Sequence, residues 1–147
     1  MSIGFIGSGN MARAIAVGLR EHAMFADSGS GRATALAADT GGEAAAAEAV
    51  ADGSDILFLS HKPAQLTEVA SKLADFDGIL ASVLAATPLA ALREAYRSAT
   101  VVRLMPNTPV EHGAGVTCVA DESDPAPELE TLLQRLGPVV RLPEAQI

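Results

Sequence analysis

The segment Gly7-Ser8-Gly9-Asn10-Met11-Ala12 has a spacing that can do chemistry. It fits the pattern G-x-G-x-x-G/A, directly follows the apolar run of residues 2–6, and opens a stretch with apolar residues at Met11, Ala14, Ile15 and Leu19. A glycine turn between a strand and a helix, in a unit that ends about 27 residues in at an acidic residue, is the context in which this pattern binds a dinucleotide. Gly7 permits the tight turn, Gly9 leaves room for a pyrophosphate to approach the backbone, and Ala12 lets the helix sit close to the strand. The helix start offers unpaired N–H groups and the positive end of the helix dipole. The chemistry expected is recognition of the pyrophosphate of NAD(P).

Three further segments carry polar groups at expected strand ends. Asp27 closes the second apolar run and can accept hydrogen bonds from a ribose 2′-hydroxyl, which points to NAD. Ser28, Ser30 and Arg32 follow it and can instead donate to a 2′-phosphate, which points to NADP. Both signals are present, and the balance leans slightly to NADP. Ser60-His61-Lys62-Pro63 leaves the run 55–60 at the edge where ligands bind in open α/β sheets. The alternative for it is a plain strand exit with a proline opening a helix. Met105-Pro106-Asn107-Thr108-Pro109 follows the apolar run 100–104. Its prolines restrict the backbone and remove donors, so an irregular, stiff loop is expected. Asn107 and Thr108 there either face a ligand or cap their own backbone.

The elements that must position these groups alternate along the chain. Strands are expected at residues 2–6, 23–27, 55–60, 79–83, 100–104, 115–120 and 139–142. Helices are expected at 10–20, 33–38, 44–51, 63–73, 87–96 and from Pro125 or Pro127 to 136. The pattern predicts one α/β domain spanning 1–147: a Rossmann-like, doubly wound, mainly parallel sheet with helices on both faces. The connection from Leu104 to Gly115 is short, so the late strands are expected to run antiparallel. The composition agrees with a globular core, with 49% apolar and 19% charged residues among 147. A net charge of −8 with 3% aromatics argues against nucleic acid or an anionic membrane as partner. The one cysteine, Cys118, excludes an intrachain disulfide, and His22, His61, His112 and Cys118 lack metal-ligand spacing. No secretory signal or membrane span is read, so the cytoplasm is the expected compartment.

Taken together, Ile3-Gly4-Phe5-Ile6-Gly7-Ser8-Gly9-Asn10-Met11-Ala12, then Lys62-Pro63, then Met105-Pro106-Asn107-Thr108-Pro109 with Gly113, Gly115 and Thr117, make the chain resemble the pyrroline-5-carboxylate reductase family. The first motif is shared with other reductases of the 6-phosphogluconate-dehydrogenase-like group; the M-P-N-T-P segment is more specific. The resemblance implies reduction of 1-pyrroline-5-carboxylate to L-proline by NAD(P)H. It implies that Ile6, Gly7, Ser8, Gly9, Asn10 and Met11 hold the pyrophosphate and that Ser28 sits at the adenosine ribose. Ser60, His61, Lys62 and Pro63 with Val83, Leu84 and Ala85 would wall the nicotinamide ribose, and Asn107 would lie beside the nicotinamide and substrate. No catalytic acid identifies itself; Lys62 and Asn107 are the candidates. The family pattern has a small apolar residue and valine at Ser60-His61, often Ala-Gly at Ala85-Ala86, and in some members asparagine at Ala47.

Family members continue into a helical, oligomer-forming second domain bearing Ser-Gly-x-Gly-Pro-Ala-Tyr, which this sequence does not contain. The expectation is therefore a shortened chain that binds NAD(P)H weakly and turns over poorly by itself. Two other readings are another NADP oxidoreductase of the same group and a non-catalytic nucleotide-binding module.

Overall fold

The computed structural model describes residues 1–147. Its strands are β1 (Ile3–Ile6), β2 (Ala23–Ala26), β3 (Glu43–Ala44), β4 (Ile56–Leu59), β5 (Ile79–Ser82), β6 (Thr100–Pro106), β7 (Thr117–Ala120) and β8 (Val139–Leu142). Its α-helices are α1 (Asn10–Leu19), α2 (Arg32–Thr40), α3 (Ala47–Asp52), α4 (Leu66–Leu73), α5 (Leu89–Ala95) and α6 (Pro127–Leu133). The strands form one sheet in the order β3-β2-β1-β4-β5-β6-β7-β8. Pairing is parallel from β3 through β6, antiparallel between β6 and β7, and parallel again between β7 and β8. The Rossmann-like class and the reversal of the late strands are as the sequence predicts. The chain order reverses between β1 and β4, which opens a crevice outside their carboxyl ends.

The short central strands are buried on both faces, so they read as apolar runs without alternation. Alternate residues serve different layers. Phe5 stacks on Phe25 and Phe58, with ring centroids 5.3 and 4.9 Å away, beneath α1, α2 and α6. Ile6, Leu57, Leu59 and Leu80 face the opposite layer, packed with Val50, Leu73, Leu92 and Tyr96. The Tyr96 hydroxyl is buried without a hydrogen-bond partner, and burial pushes its pKa up to about 12. An unpaired buried hydroxyl costs about 1–3 kcal/mol. Tyr96→Phe is therefore expected to raise the melting temperature, and a lower value in thermal unfolding would contradict that accounting.

Three expectations are corrected. Residues 44–51 are not one helix: Glu43–Ala44 adds an edge strand parallel to β2, and the helix starts at Ala47. Alanine's helix propensity is outweighed there by the open edge of β2. The helix expected at 63–73 begins as a 3₁₀ turn, Pro63–Gln65, before α4. Met105 and Pro106 are not in an irregular loop but extend β6. β5 pairs with β6 only as far as Arg103, and Leu104–Pro106 then pair with β7. Pro106 is tolerated because β5 no longer pairs beyond Arg103, so no strand on that side needs its missing N–H. No helix is long and apolar enough to cross a membrane.

Candidate functional site

The glycine turn is tied to the end of the neighbouring strand, β2. The Gly7 amide donates to Ala26 O at 2.9 Å, and the Ser8 hydroxyl donates to the same carbonyl at 3.1 Å. Gly7 has φ +99°, and a Cβ there would overlap the backbone of Ser60 and His61, so only glycine fits. Gly9 is different. It is the N-cap of α1 in extended backbone, and a Cβ there meets nothing closer than Arg32 Nη1 at 3.8 Å. Gly9 thus faces open cleft. The amides from Ser8 to Ala12 have no acceptor within the protein. Unpaired donors at a helix start beside a side-chain-free position form a cradle for an anion. Arg32 makes no ion pair and holds its guanidinium above this turn.

These groups line a cleft of about 820 Å³ at the carboxyl ends of β1, β2, β4 and β5. Of the residues singled out from the sequence, Ile6, Gly7, Ser8, Gly9, Met11, Ser28, Arg32, Ser60, His61, Lys62, Pro63, Val83, Leu84 and Ala85 border it. Asn10 and Asn107 do not. Asn107 Oδ1 accepts the Val116 amide at 2.8 Å, so its side chain closes the turn ahead of β7. Gln65, Glu68, Val69 and Lys72 line the cleft and were not read from the sequence. Lys72 and Glu68 lie on α4, where the proline start pointed to a helix but not to the direction of its polar face. Gln65 also accepts the Lys62 amide at 3.2 Å and so fixes the start of that helix.

Asp27 is used by its own loop. Its two oxygens accept the Gly29 and Ala33 amides, each at 2.7 Å. The Ala33 bond, ahead of the opposing effect of burial, holds the carboxyl below its ordinary value. It acts as a distant cap for α2, whose N-cap is Gly31. The native pKa lies below the unfolded one. The stabilisation is therefore complete above the unfolded value of about 3.9 and is lost as pH falls through the native value. Asp27→Ala is expected to cost about 1 kcal/mol at pH 7. In urea titrations that deficit should shrink as pH falls below the unfolded value; a deficit independent of pH would rule the cap out.

Ser60 donates its hydroxyl to Gly7 O at 2.9 Å, tying the β4 exit to the glycine turn. His61 Nδ1 lies 2.9 Å from Lys62 O, and Nε2 is buried without a partner. Desolvation pushes the imidazole pKa down, so the ring is neutral at pH 7 and Nδ1–H donates to that carbonyl. Ala86, beyond Ala85 in the same wall, stands at φ +51° and carries left-handed strain that a glycine would not.

The doubly wound sheet and the amide cradle at its switch point define a Rossmann-like fold of the pyridine-nucleotide-binding oxidoreductases. Residues 2–86 match the family described as NADP oxidoreductase, coenzyme F420-dependent, and the chain belongs to that family. It is 30% identical to the pyrroline-5-carboxylate reductase of Aquifex aeolicus (strain VF5) over 155 aligned positions, 98% of this chain and 58% of the relative. It is 33% identical to the enzyme of the same name from Escherichia coli (strain K12) over 138 positions, 86% of this chain and 51% of the relative. The chain thus spans little more than half the length of these curated relatives. Among solved structures, 1-pyrroline-5-carboxylate reductase from Streptococcus pyogenes superposes with a TM-score of 0.87 at 24% identity, covering 99% of this chain and 60% of that one. Plasmodium falciparum pyrroline carboxylate reductase, solved with NADP bound, gives 0.81 at 19% identity over 98% and 58%.

Proposed function

We propose that this chain is the nucleotide-binding domain of a pyrroline-5-carboxylate reductase, with NADPH the preferred donor. The observation that carries this reading is the span of its likeness to the Aquifex enzyme. That alignment covers 98% of the chain, so it takes in the Met105–Pro109 segment as well as the glycine turn. The family match, by contrast, ends at residue 86.

The nucleotide, when bound, supplies the hydride that reduces the C=N bond of the cyclic imine. The chain's part is to hold and orient it. The free amides of Ser8 to Ala12 take the pyrophosphate at the α1 dipole, and Arg32 adds a cation there. Ser28 and Ser30 offer donors near the adenosine ribose. Asp27 spends both oxygens on its loop and does not compete for the 2′ position, which supports NADPH over NADH. Ser60 to Pro63 and Val83 to Ala85 wall the nicotinamide side. The neutral His61 brings no fixed charge to that wall. Positioning of donor against acceptor supplies much of the rate in such a transfer. Lys62 is the amine-bearing side chain of that wall.

The family's description favours a second reading, hydride exchange between NADP and coenzyme F420. One assay separates the two. The chain is expected to bind NADPH more tightly than NADH in calorimetry and to form L-proline slowly from NADPH and 1-pyrroline-5-carboxylate, with no NADPH oxidation by oxidised F420. Oxidation by F420 without proline formation selects the second reading, and absence of nucleotide binding removes both.

A further inference from the structure

The wall formed by Val83, Leu84 and Ala85 is anchored unequally at its two ends. At the near end the Val83 amide donates to Leu59 O at 3.0 Å, which continues the parallel ladder. The chain then passes through Ala86 in its left-handed conformation and reaches α5. At that far end the long-range hydrogen bond is from the Leu89 amide to Glu144 Oε1, at 2.6 Å across 55 residues. The same Glu144 oxygen accepts Arg103 Nη1 at 2.9 Å. Arg103 is 5% exposed on β6, and its Nη2 lies 3.4 Å from Ile147 O. The Glu144 amide in turn donates to Glu122 Oε2 at 2.8 Å. The Leu89 bond, with the Arg103 charge behind it, keeps this carboxyl below its ordinary value.

We infer that Glu144 is a positioning residue for the nicotinamide wall: it fixes the far end of the Ala86 bend, with buried Arg103 holding its carboxylate in place. This rests on the dinucleotide reading above. A buried arginine with a single carboxylate partner keeps that carboxylate in one place, because separating them strands a charge in the core. The strained Ala86 bend would relax if its far end were released, and the wall would move with it. The cradle at Gly9 lies on β1 and α1, which Glu144 does not touch, so the two halves of the cleft respond differently.

The test compares NADPH with ADP, which shares the adenosine and pyrophosphate but lacks the nicotinamide half. With Glu144→Ala, calorimetry should show NADPH affinity falling about fivefold, the size of one net hydrogen bond, with ADP affinity unchanged. Glu144→Gln keeps an oxygen for the Leu89 amide and should recover most of the NADPH affinity. Unchanged NADPH binding by Glu144→Ala, an equal fall for NADPH and ADP, or a Glu144→Gln protein as weak as Glu144→Ala overturns the assignment. Wild-type protein binding neither compound sinks the dinucleotide reading and this assignment with it. Wild-type protein binding both, with variants that match it, sinks this assignment alone.

Discussion

Gly9→Trp is expected to weaken dinucleotide binding severely and to leave the fold standing. The two effects separate because of where Gly9 sits. Its backbone is extended, with φ −82° and ψ −164°, a conformation that any residue adopts. A Cβ there finds open space up to the Arg32 guanidinium. The substitution therefore adds no backbone strain, and a surface change of this kind costs within about 0.5 kcal/mol. The indole would nevertheless fill the space before the unpaired amides of Ser8 to Ala12, the proposed pyrophosphate position. NADPH affinity should fall at least about 100-fold, close to 3 kcal/mol. The chain has no tryptophan, so the new indole also reports its own environment by fluorescence. Wild-type affinity in a folded Gly9→Trp protein would mean that the nucleotide does not lie on this turn. Gly7→Ala is the instructive contrast: its Cβ would collide with backbone at φ +99°, so it should damage the fold itself.

The contrast between these glycines shows what sequence can convey. The turn was legible because every requirement on it is local: a strand before, a helix after, and small residues at fixed offsets. The alternation of strands and helices was legible for the same reason, and it sufficed for the Rossmann-like class and the late reversal. Asp27 was ambiguous because its role depends on how the loop from Ser28 to Gly31 folds back, and that is decided by which amides reach its oxygens. Glu43–Ala44 was hidden because a two-residue strand has no period of its own and exists only through the edge of β2. Glu144 was invisible as a contributor, since nothing near it in sequence shows that it meets Leu89 and Arg103. Asn107 was read two ways, and the bond it makes to Val116 depends on where β7 begins.

The Met105–Pro109 segment owes its place to a second glycine, and Gly18→Ala is the variant that tests it. After Pro106 leaves the sheet, Thr108–His112 form a 3₁₀ turn that lies on α1. Gly18, inside that helix, lets the turn come close: a Cβ there would overlap the Val110 carbonyl oxygen and press on the Leu136 side chain. Val110 and Leu136 are fully buried, so neither can give way into solvent. In an open helix, glycine to alanine stabilises by about 1 kcal/mol. Here the added methyl meets main chain in a packed layer, and overpacking of that kind costs about 1–3 kcal/mol. The expected net result is a fall in stability of about 1 kcal/mol, read by urea denaturation. A stabilised Gly18→Ala protein would show that the turn does not bear on α1. The same contact explains how two distant segments come to one place: the helix whose start carries the unpaired amides is the helix against which the proline-flanked turn is seated. Asn107 precedes that turn, and its position relative to the cleft is therefore set by Gly18 rather than by the prolines alone.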